Sequence, residues 1–192
     1  MAQKKLIPFL CLASGSFASL FQNGQSLASH MESRAVSSVI EIGAWKGDAT
    51  LFFAKRLPEG GHIVAIDSWI GYPKEIYKVT SGIYESFIER MEREGVAHAV
   101  LPVRTTSLTA AQSLDAVADL IYIDGDHSYE AVYSDIAAWR PHIKPGGLLC
   151  GNLYSQHGEQ KTIEKALRDY CNANGLSYKT EGYLWYIDSS SS

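Results

Sequence analysis

The chain has 192 residues, a length that fits one domain with a full hydrophobic core. Its net charge is −4 and no basic cluster stands out, which argues against nucleic acid and acidic membrane surfaces as partners. The three cysteines lie far apart and lack metal-ligand spacing. We interpret them as reduced thiols, which predicts a cytoplasmic protein.

The first 24 residues allow two interpretations. Lys4 and Lys5 precede a short apolar run and then small residues, a shape that resembles a secretory signal. The run is too short to span a membrane as a mature helix. The second interpretation, which we favour, is an N-terminal helix that packs on the domain. That domain is predicted over residues 25–188, and the serines at 189–192 are predicted to be a frayed tail.

Helices and strands alternate along the predicted domain, according to the periodicity of its apolar residues. Helices are expected at 26–35, 49–57, 83–94, 108–114, 129–140 and 161–172. Strands are expected at 39–42, 62–66, 100–103, 120–123, 148–150, 178–180 and 183–187, with a loop at 69–81 that we expect to select the substrate. This order predicts an α/β fold with a doubly wound, mostly parallel sheet and helices on both faces. The final hairpin makes the last strand antiparallel.

The first strand runs into a glycine-bounded turn and a helix, with Glu41, Gly43 and Gly47 in the order Glu-Ile-Gly-x-x-x-Gly. Such a unit holds nucleotide-like ligands. Trp45 stands where a dinucleotide-binding protein needs its second glycine. Asp48 adds a negative charge at the helix start, which disfavours a pyrophosphate. The expected ligand is therefore a nucleoside without phosphates.

Polar side chains also follow the later strands at their carboxyl ends. Asp67 lies 20 residues after Gly47, where an acid can accept hydrogen bonds from both hydroxyl groups of a ribose. Thr106, Asp124 and Asn152 follow the next parallel strands. Since parallel strands end at one edge of the sheet, we expect a single site there.

Taken together, these motifs resemble the class I S-adenosylmethionine-dependent methyltransferases. The run from Glu41 to Thr50 and the Val-Ala-Ile-Asp run at 64–67 are similar to their cofactor site. Ile-Tyr-Ile-Asp-Gly-Asp-His-Ser-Tyr-Glu at 121–130 and Lys-Pro-Gly-Gly at 144–147 resemble the subfamily that includes macrocin O-methyltransferase, which is related to catechol-type O-methyltransferases. The resemblance covers about residues 25–188 and implies a Rossmann-like, seven-stranded fold.

The resemblance implies S-adenosylmethionine as the cofactor and a small-molecule hydroxyl group as the methyl acceptor. The predicted cofactor contacts are Glu41, Gly43, Ala44, Trp45, Gly47, Asp67, Ser68, Trp69, Thr106, Ser107 and Asp124. Three simpler roles stay open: the glycines as turn residues, Thr106 and Ser107 as helix caps, and Trp69 as an anchor for its loop.

Asp124 and His127 are the predicted catalytic residues. In catechol-type relatives the acid is a metal ligand, and the residue three positions later is a lysine base. Histidine titrates near neutrality and can take the hydroxyl proton here. Asp126 is expected to orient His127. The alternative is that His127 and Ser128 only cap the next helix.

The predicted metal ligands are Asp124 and Asn152. Relatives usually carry Asp-Asp or Asp-Asn after the fifth strand, whereas this chain has Gly151-Asn152 and lacks one carboxylate. A Mg²⁺ requirement is therefore left open, as is a homodimer. Two other functions also stay open: a cofactor-binding protein without catalysis, and a nicotinamide-dependent oxidoreductase, which Trp45 and the glycine spacing oppose.

Overall fold

The structure is a computed structural model that describes residues 23–70, 82–153 and 160–188. Of the predicted N-terminal extension at 1–24, residues 1–22 lie outside the described residues, and with them the segment on which both interpretations rest. Most of the predicted loop at 69–81 and the tail at 189–192 lie outside them as well.

One seven-stranded sheet runs through the domain, with the strand order β3-β2-β1-β4-β5-β7-β6. The strands are β1 Ser38–Ile42, β2 His62–Asp67, β3 Val100–Arg104, β4 Ala118–Ile123, β5 Ile143–Asn152, β6 Lys179–Glu181 and β7 Leu184–Asp188. The first five pair in parallel, while β7 is antiparallel to β5 and to β6. The strand order reverses between β1 and β4, which is where open α/β sheets bind ligands. The predicted doubly wound sheet with an antiparallel end is confirmed.

Six helices and two short 3₁₀ turns are found among the described residues. The helices are α1 Gly24–Ser33, α2 Asp48–Ala54, α3 Ile83–Arg93, α4 Ser107–Ser113, α5 Tyr129–Trp139 and α6 Gln160–Ala173, and the turns are Ala97–Ala99 and Arg140–His142. None of the helices in this part of the chain is both long and apolar enough to cross a membrane.

Alternation along the strands sends side chains to two separate cores, one under each face of the sheet. In β1, Ile40 and Ile42 pack with α4, α5 and α6, whereas Val39 packs with α1 and α2. A third cluster places Phe87 and Met91 of α3 beside α2. Helices therefore cover both faces of the sheet, as predicted.

The predicted boundary of β5 was too short. The sequence suggests a turn up to Gly147, but the strand begins at Ile143, which pairs with Ala118 of β4. The pairing register shifts before Leu120 pairs with Leu148. Proline and glycine at 145–147 look like a turn in sequence, although such residues also occur at strand irregularities.

The opposite edge of the sheet, where the parallel strands begin, is held by Asp119. Its Oδ2 accepts hydrogen bonds from the backbone N–H and hydroxyl groups of Ser37 and Ser38 at 2.8–3.0 Å. Lys144 Nζ lies 2.9 Å from Oδ1. Although desolvation opposes the effect, Lys144 and the serine donors lower the pKa of Asp119 well below its usual range.

Candidate active site

The connection between β1 and α2 is a tight turn whose two glycines the fold itself requires. Gly43 has a φ of 90° and Gly47 a φ of 84°, values that glycine adopts without strain. A Cβ at residue 43 would lie 2.6 Å from the carbonyl carbon of Asp124, and one at residue 47 would lie 2.6 Å from Met91 Cε. The space beside these glycines is thus filled by protein, so residues 43 and 47 can meet a cofactor only through their backbone atoms.

The carboxylate of Asp67, at the end of β2, hydrogen-bonds to two loops, the turn between β1 and α2 and the residues that follow β2. Trp45 N–H donates to Oδ2 at 2.8 Å, and Trp69 N–H donates to Oδ1 at 2.7 Å. Both tryptophans have a positive φ, 41° and 50° respectively, which is uncommon for bulky residues and is maintained by these contacts. Each carboxylate oxygen has a second lone pair, so Asp67 is still able to accept two hydroxyl donors.

The two tryptophans have different surroundings. Trp69 is 2% exposed, its ring centroid lies 5.0 Å from that of Phe87, and its Nε1–H donates to the carbonyl oxygen of Trp45 at 2.8 Å. This packing supports the anchoring role for Trp69. Trp45 is 49% exposed and is available to a ligand. Of the remaining predicted contacts here, Ala44 is buried and Ser68 is partly buried.

Glu41, near the end of β1, is buried against α2. It is 1% exposed, and Thr50 Oγ1 donates to its Oε2 at 2.6 Å. Burial raises the pKa of Glu41 to about 8; the Thr50 hydrogen bond opposes this, and the charges of Asp124 and Asp67 add to it. Such a carboxyl group is protonated at neutral pH and ionises readily when a cation binds beside it.

Thr106 and Ser107 both take part in helix contacts. Thr106 caps α4, because its Oγ1 accepts a hydrogen bond from Thr109 N–H at 3.3 Å. Ser107 Oγ donates to Asp135 Oδ1 at 2.5 Å and accepts from Trp139 Nε1 at 2.9 Å. Thr106 therefore acts as a helix cap, which is one of the simpler roles left open above. The hydroxyl group of Ser107 is turned toward α5.

A line of polar side chains crosses the strand ends at Asp124. His127 Nε2 lies 3.3 Å from Asp124 Oδ1, and Asn152 Nδ2 donates to the same oxygen at 3.2 Å. Asn23, just before α1, donates from Nδ2 to Asn152 Oδ1 at 3.0 Å. The side chains of His127 and Asp124 are 18% and 26% exposed, so the pair is sheltered but accessible. An imidazole held by a carboxylate suits proton removal from a bound hydroxyl group.

In the turn after Asp124, the side chains of Asp126 and Ser128 hydrogen-bond to the backbone at the start of α5. Asp126 Oδ1 accepts a hydrogen bond from Ser128 N–H at 2.8 Å, and Ser128 Oγ caps α5 by accepting from Ala131 N–H at 3.3 Å. A carboxylate that contacts His127 therefore belongs to Asp124, and a role of Asp126 in orienting the imidazole stays a prediction. Ser128 caps the helix, as one alternative proposed, but His127 contacts Asp124.

A family model described as a methyltransferase domain matches residues 40–152, more than half of the chain. The chain belongs to this methyltransferase family. The matched range runs from β1 to the end of β5 and includes Glu41, Asp67, Asp124 and Asn152. No curated protein matches the sequence. The nicotinamide-dependent oxidoreductase alternative is set aside by this assignment.

Solved structures of other methyltransferases are similar to this one in fold. An O-methyltransferase from Bacillus cereus, in complex with SAH, is 15% identical with a TM-score of 0.69, and the match covers 93% of each chain. TomG, an O-methyltransferase from Streptomyces achromogenes involved in tomaymycin synthesis and solved with SAM, is 18% identical with a TM-score of 0.64, covering 88% of this chain and 80% of its own. The calicheamicin methyltransferase CalS11 is 14% identical with a TM-score of 0.70, covering 93% and 81%.

The two predicted metal ligands, Asp124 and Asn152, lie next to each other, but two side chains are few for a metal site. Across residues 23–70, 82–153 and 160–188, no group of three or more His, Cys, Asp or Glu side chains is placed to hold a metal ion. A Cβ at Gly151, where relatives carry an acid, would lie 2.5 Å from Trp185 Cζ2. The indole of Trp185 therefore fills the space that a carboxylate at this position would need.

Three residues at this methyltransferase site were missed by the sequence analysis. Asn23 lies 129 positions from its partner Asn152, and no local pattern links the two. Thr50 belongs to the first motif, but its bond to Glu41 depends on how α2 packs on the sheet. Asp135 lies on the inner face of α5 and is buried. A charged residue in an apolar helix face is unusual, and this could have marked Asp135 in the sequence.

Proposed function

We propose that this methyltransferase transfers a methyl group from S-adenosylmethionine to a hydroxyl group of a small molecule. The observation that supports this best is the contact between His127 and Asp124, at 3.3 Å, beside the turn at Gly43. It puts a proton acceptor at the switch point between β1 and β4, where the family's ligand is expected.

The residues at the strand ends fit the proposed cofactor. Asp67 retains lone pairs for two ribose hydroxyl groups beside its backbone partners. Glu41, buried and with a raised pKa, suits an α-ammonium group, because a nearby cation favours the ionised carboxylate. The backbone of residues 43–45 is available to the methionine part, and Trp45 is exposed beside it.

In the proposed reaction, bound S-adenosylmethionine supplies an electrophilic methyl group on a positively charged sulfur. His127 would take the proton from the acceptor hydroxyl group as the new oxygen–carbon bond forms and the methyl–sulfur bond breaks, which leaves S-adenosylhomocysteine as the second product. Asp124, at 3.3 Å, stabilises the imidazolium ion that results. Asn152 donates to Asp124 and thereby keeps its carboxylate in place. Alignment of the reacting atoms contributes the remaining rate enhancement.

The described residues do not fit a resident Mg²⁺ ion. The amide Nδ2 of Asn152 is directed at Asp124 as a hydrogen-bond donor, and the described residues bring together no group of three acidic, His or Cys side chains here. Mg²⁺ needs oxygen ligands in near-octahedral geometry. We therefore assign proton removal to His127, without the help of a metal ion.

The finer assignment to the macrocin-like subfamily rests on the motifs at 121–130 and 144–147, and it implies a small-molecule acceptor. We propose a cytoplasmic location, which is supported by the need for the cofactor and by the free thiols of Cys150 and Cys171. A homodimer is the assembly we propose, to be tested by light scattering.

A screen of phenolic and sugar hydroxyl acceptors, with S-adenosylhomocysteine as the measured product, tests the function. We expect calorimetric binding of S-adenosylmethionine and product formation that persists in EDTA. Binding without product from any acceptor would favour the second candidate, a cofactor-binding protein without catalysis, which the missing carboxylate at Gly151 motivates.

A further inference from the structure

Arg90, on α3, joins that helix to the turn between β1 and α2. Its Nη1 donates to the carbonyl oxygen of Lys46 at 2.8 Å, and its Nη2 donates to Asp48 Oδ1 at 2.6 Å. The side chains of Arg90 and Asp48 are 20% and 33% exposed, so solvent reaches the pair only in part. A planar guanidinium holds both donors in a fixed geometry, so the contact sets the direction of the Lys46 carbonyl group as well as its distance.

The carbonyl group that Arg90 binds lies in a turn that contains residues in the left-handed region. On either side of Lys46, Trp45 has a φ of 41° and Gly47 a φ of 84°. Such a value is easy for glycine, but a bulky residue there is strained and keeps this conformation only where surrounding contacts maintain it. The backbone conformation of this turn therefore depends on the groups that contact it from other elements.

Side chains from two other parts of the chain maintain the turn. After β2, Asp67 Oδ2 accepts a hydrogen bond from Trp45 N–H at 2.8 Å, and Trp69 Nε1–H donates to the carbonyl oxygen of Trp45 at 2.8 Å. From α3, Arg90 binds the next carbonyl group along the chain, that of Lys46. Two consecutive peptide groups of the turn are thus oriented by separate elements, and α3 contributes to this through Arg90.

The importance of this turn for a ligand rests on the proposed function. Residues 43 and 47 can meet S-adenosylmethionine only through backbone atoms, and the backbone of residues 43–45 is the surface available to its methionine part. A backbone surface binds well when its peptide groups already point in the required directions. If the turn adopts that conformation only part of the time, the observed affinity is reduced by the same fraction.

We propose that Arg90 is a positioning residue that keeps the turn between β1 and α2 in its cofactor-binding conformation. Asp48 anchors the guanidinium, which in turn orients the Lys46 carbonyl group. Because Arg90 acts through the backbone of the turn, its contribution is confined to ligands that carry the amino-acid part of S-adenosylmethionine. The ribose contact at Asp67 does not depend on Arg90, since Trp69 N–H holds the other oxygen of that carboxylate at 2.7 Å.

The chain offers a matched control for the removal of Arg90. Lys55 Nζ lies 2.6 Å from Glu94 Oε2, so this ion pair also joins α2 to α3, but at the end of α2 that is far from the turn. Arg90→Met and Lys55→Met each remove one short ion pair between the same two helices. Arg90→Lys is a second test variant, because it retains the charge and lacks the planar pair of donors.

Hydrogen exchange in the ligand-free protein tests the effect on the turn. The amide groups of interest are Trp45 N–H, bound to Asp67, and Gly47 N–H, which donates to the carbonyl oxygen of Ala44 at 2.7 Å. Arg90→Met should speed their exchange at least about 10-fold, because the turn then opens more often. Arg90→Lys should lie between this variant and the wild-type protein, and Lys55→Met should stay within about 2-fold of the wild-type rates.

Calorimetry with two ligands tests the effect on binding. S-adenosylhomocysteine carries the amino-acid part, whereas 5′-methylthioadenosine has the same nucleoside and sulfur without it, and its affinity is measured by displacement. Arg90→Met should bind S-adenosylhomocysteine about 10-fold more weakly and 5′-methylthioadenosine less than about 2-fold more weakly. Lys55→Met should change neither affinity by more than about 2-fold.

Three results overturn the proposal: wild-type exchange and affinity in Arg90→Met, equal losses for the two ligands, or equal losses in Lys55→Met, which would make the packing of α2 on α3 responsible. If the wild-type protein binds neither ligand, the proposed function itself fails. Faster exchange in Arg90→Met would then show only that Arg90 stabilises the turn.

Discussion

Replacing Glu41 with glutamine tests whether a buried carboxyl group under the site is kept protonated in the free protein. The pKa of Glu41 is raised from 4.5 to about 8, chiefly by burial. Between these values the folded chain holds a proton that the unfolded chain releases, so this group makes the protein less stable as pH rises from about 4.5 to 8. At about 1.4 kcal/mol per pKa unit, the full effect is about 5 kcal/mol, which is an upper bound.

Glutamine avoids this loss because it has no charge to bury, and its amide oxygen can accept the hydrogen bond that Thr50 donates at 2.6 Å. We expect Glu41→Gln to match the wild-type protein near pH 5 and to exceed its free energy of unfolding by at least about 2 kcal/mol at pH 9. Urea unfolding at the two pH values measures the difference. Glu59→Gln, at an exposed position, is the control for the lost negative charge.

An equal difference between variant and wild type at pH 5 and pH 9 would refute the reasoning. The cofactor gives a second measurement of the same group. If an α-ammonium group binds beside Glu41, binding at pH 7 ionises the carboxyl group and releases up to about one proton. Calorimetry in buffers of different ionisation enthalpy detects this proton, and Glu41→Gln should abolish the release.

Three further predictions concern the carboxylates and the proposed base. Asp67→Ala should weaken S-adenosylmethionine binding at least about 100-fold, because two charge-assisted hydrogen bonds to ribose are lost; unchanged affinity in calorimetry would contradict its assignment. His127→Ala should lower turnover about 100-fold or more with the cofactor affinity unchanged, and a variant with wild-type turnover would exclude it as the base. Asp119→Asn should destabilise the protein by about 2 kcal/mol at pH 7, and less as pH falls below about 4, because the Asp119 carboxylate of the unfolded chain then becomes protonated while that of the folded chain stays ionised. Urea unfolding at about pH 7 and about pH 3 measures this, and a difference between variant and wild type that is equally large at the two pH values would contradict the role of the charge.

The positions of Asp67 and Asp124 could be predicted because they depend on one simple property of the fold. Parallel strands end at the same edge, so residues just after β2 and β4 must lie near each other, whatever the details of packing. The family assignment depends on the same local order of strands and turns. The predicted element boundaries were less accurate where proline and glycine interrupt a strand, as in β5.

The contacts of the site could not be predicted, since each depends on how separate elements pack. Gly43 was predicted to contact the cofactor, yet the backbone of Asp124 and Gly125 fills the space beside its Cα. Asp126 is closer in sequence to His127 than Asp124 is, but the backbone of the turn directs its carboxylate to Ser128. Only the three-dimensional fold brings Asn23 to Asn152.

The last prediction concerns the carboxylate that this chain lacks at Gly151. Restoring it by Gly151→Asp should not create a metal site, because any Cβ there would lie 2.5 Å from the indole of Trp185. Overpacking of this kind typically costs about 1–3 kcal/mol, so we expect the variant to be destabilised by about that amount and to gain no Mg²⁺ affinity. Asn152→Asp is the informative comparison, since residue 152 is partly exposed and its amide lies 3.2 Å from Asp124 Oδ1.

The new carboxylate in Asn152→Asp would face Asp124, and the repulsion between the two charges would be relieved by a divalent cation. We therefore expect this variant, unlike Gly151→Asp, to bind Mg²⁺ in calorimetry and to be stabilised by it in urea unfolding. A Gly151→Asp protein with wild-type stability and new Mg²⁺ affinity would mean that Trp185 can move aside. In that case the packing of β7 against β5 does not prevent a metal site here, and a Mg²⁺-assisted route would need to be reconsidered.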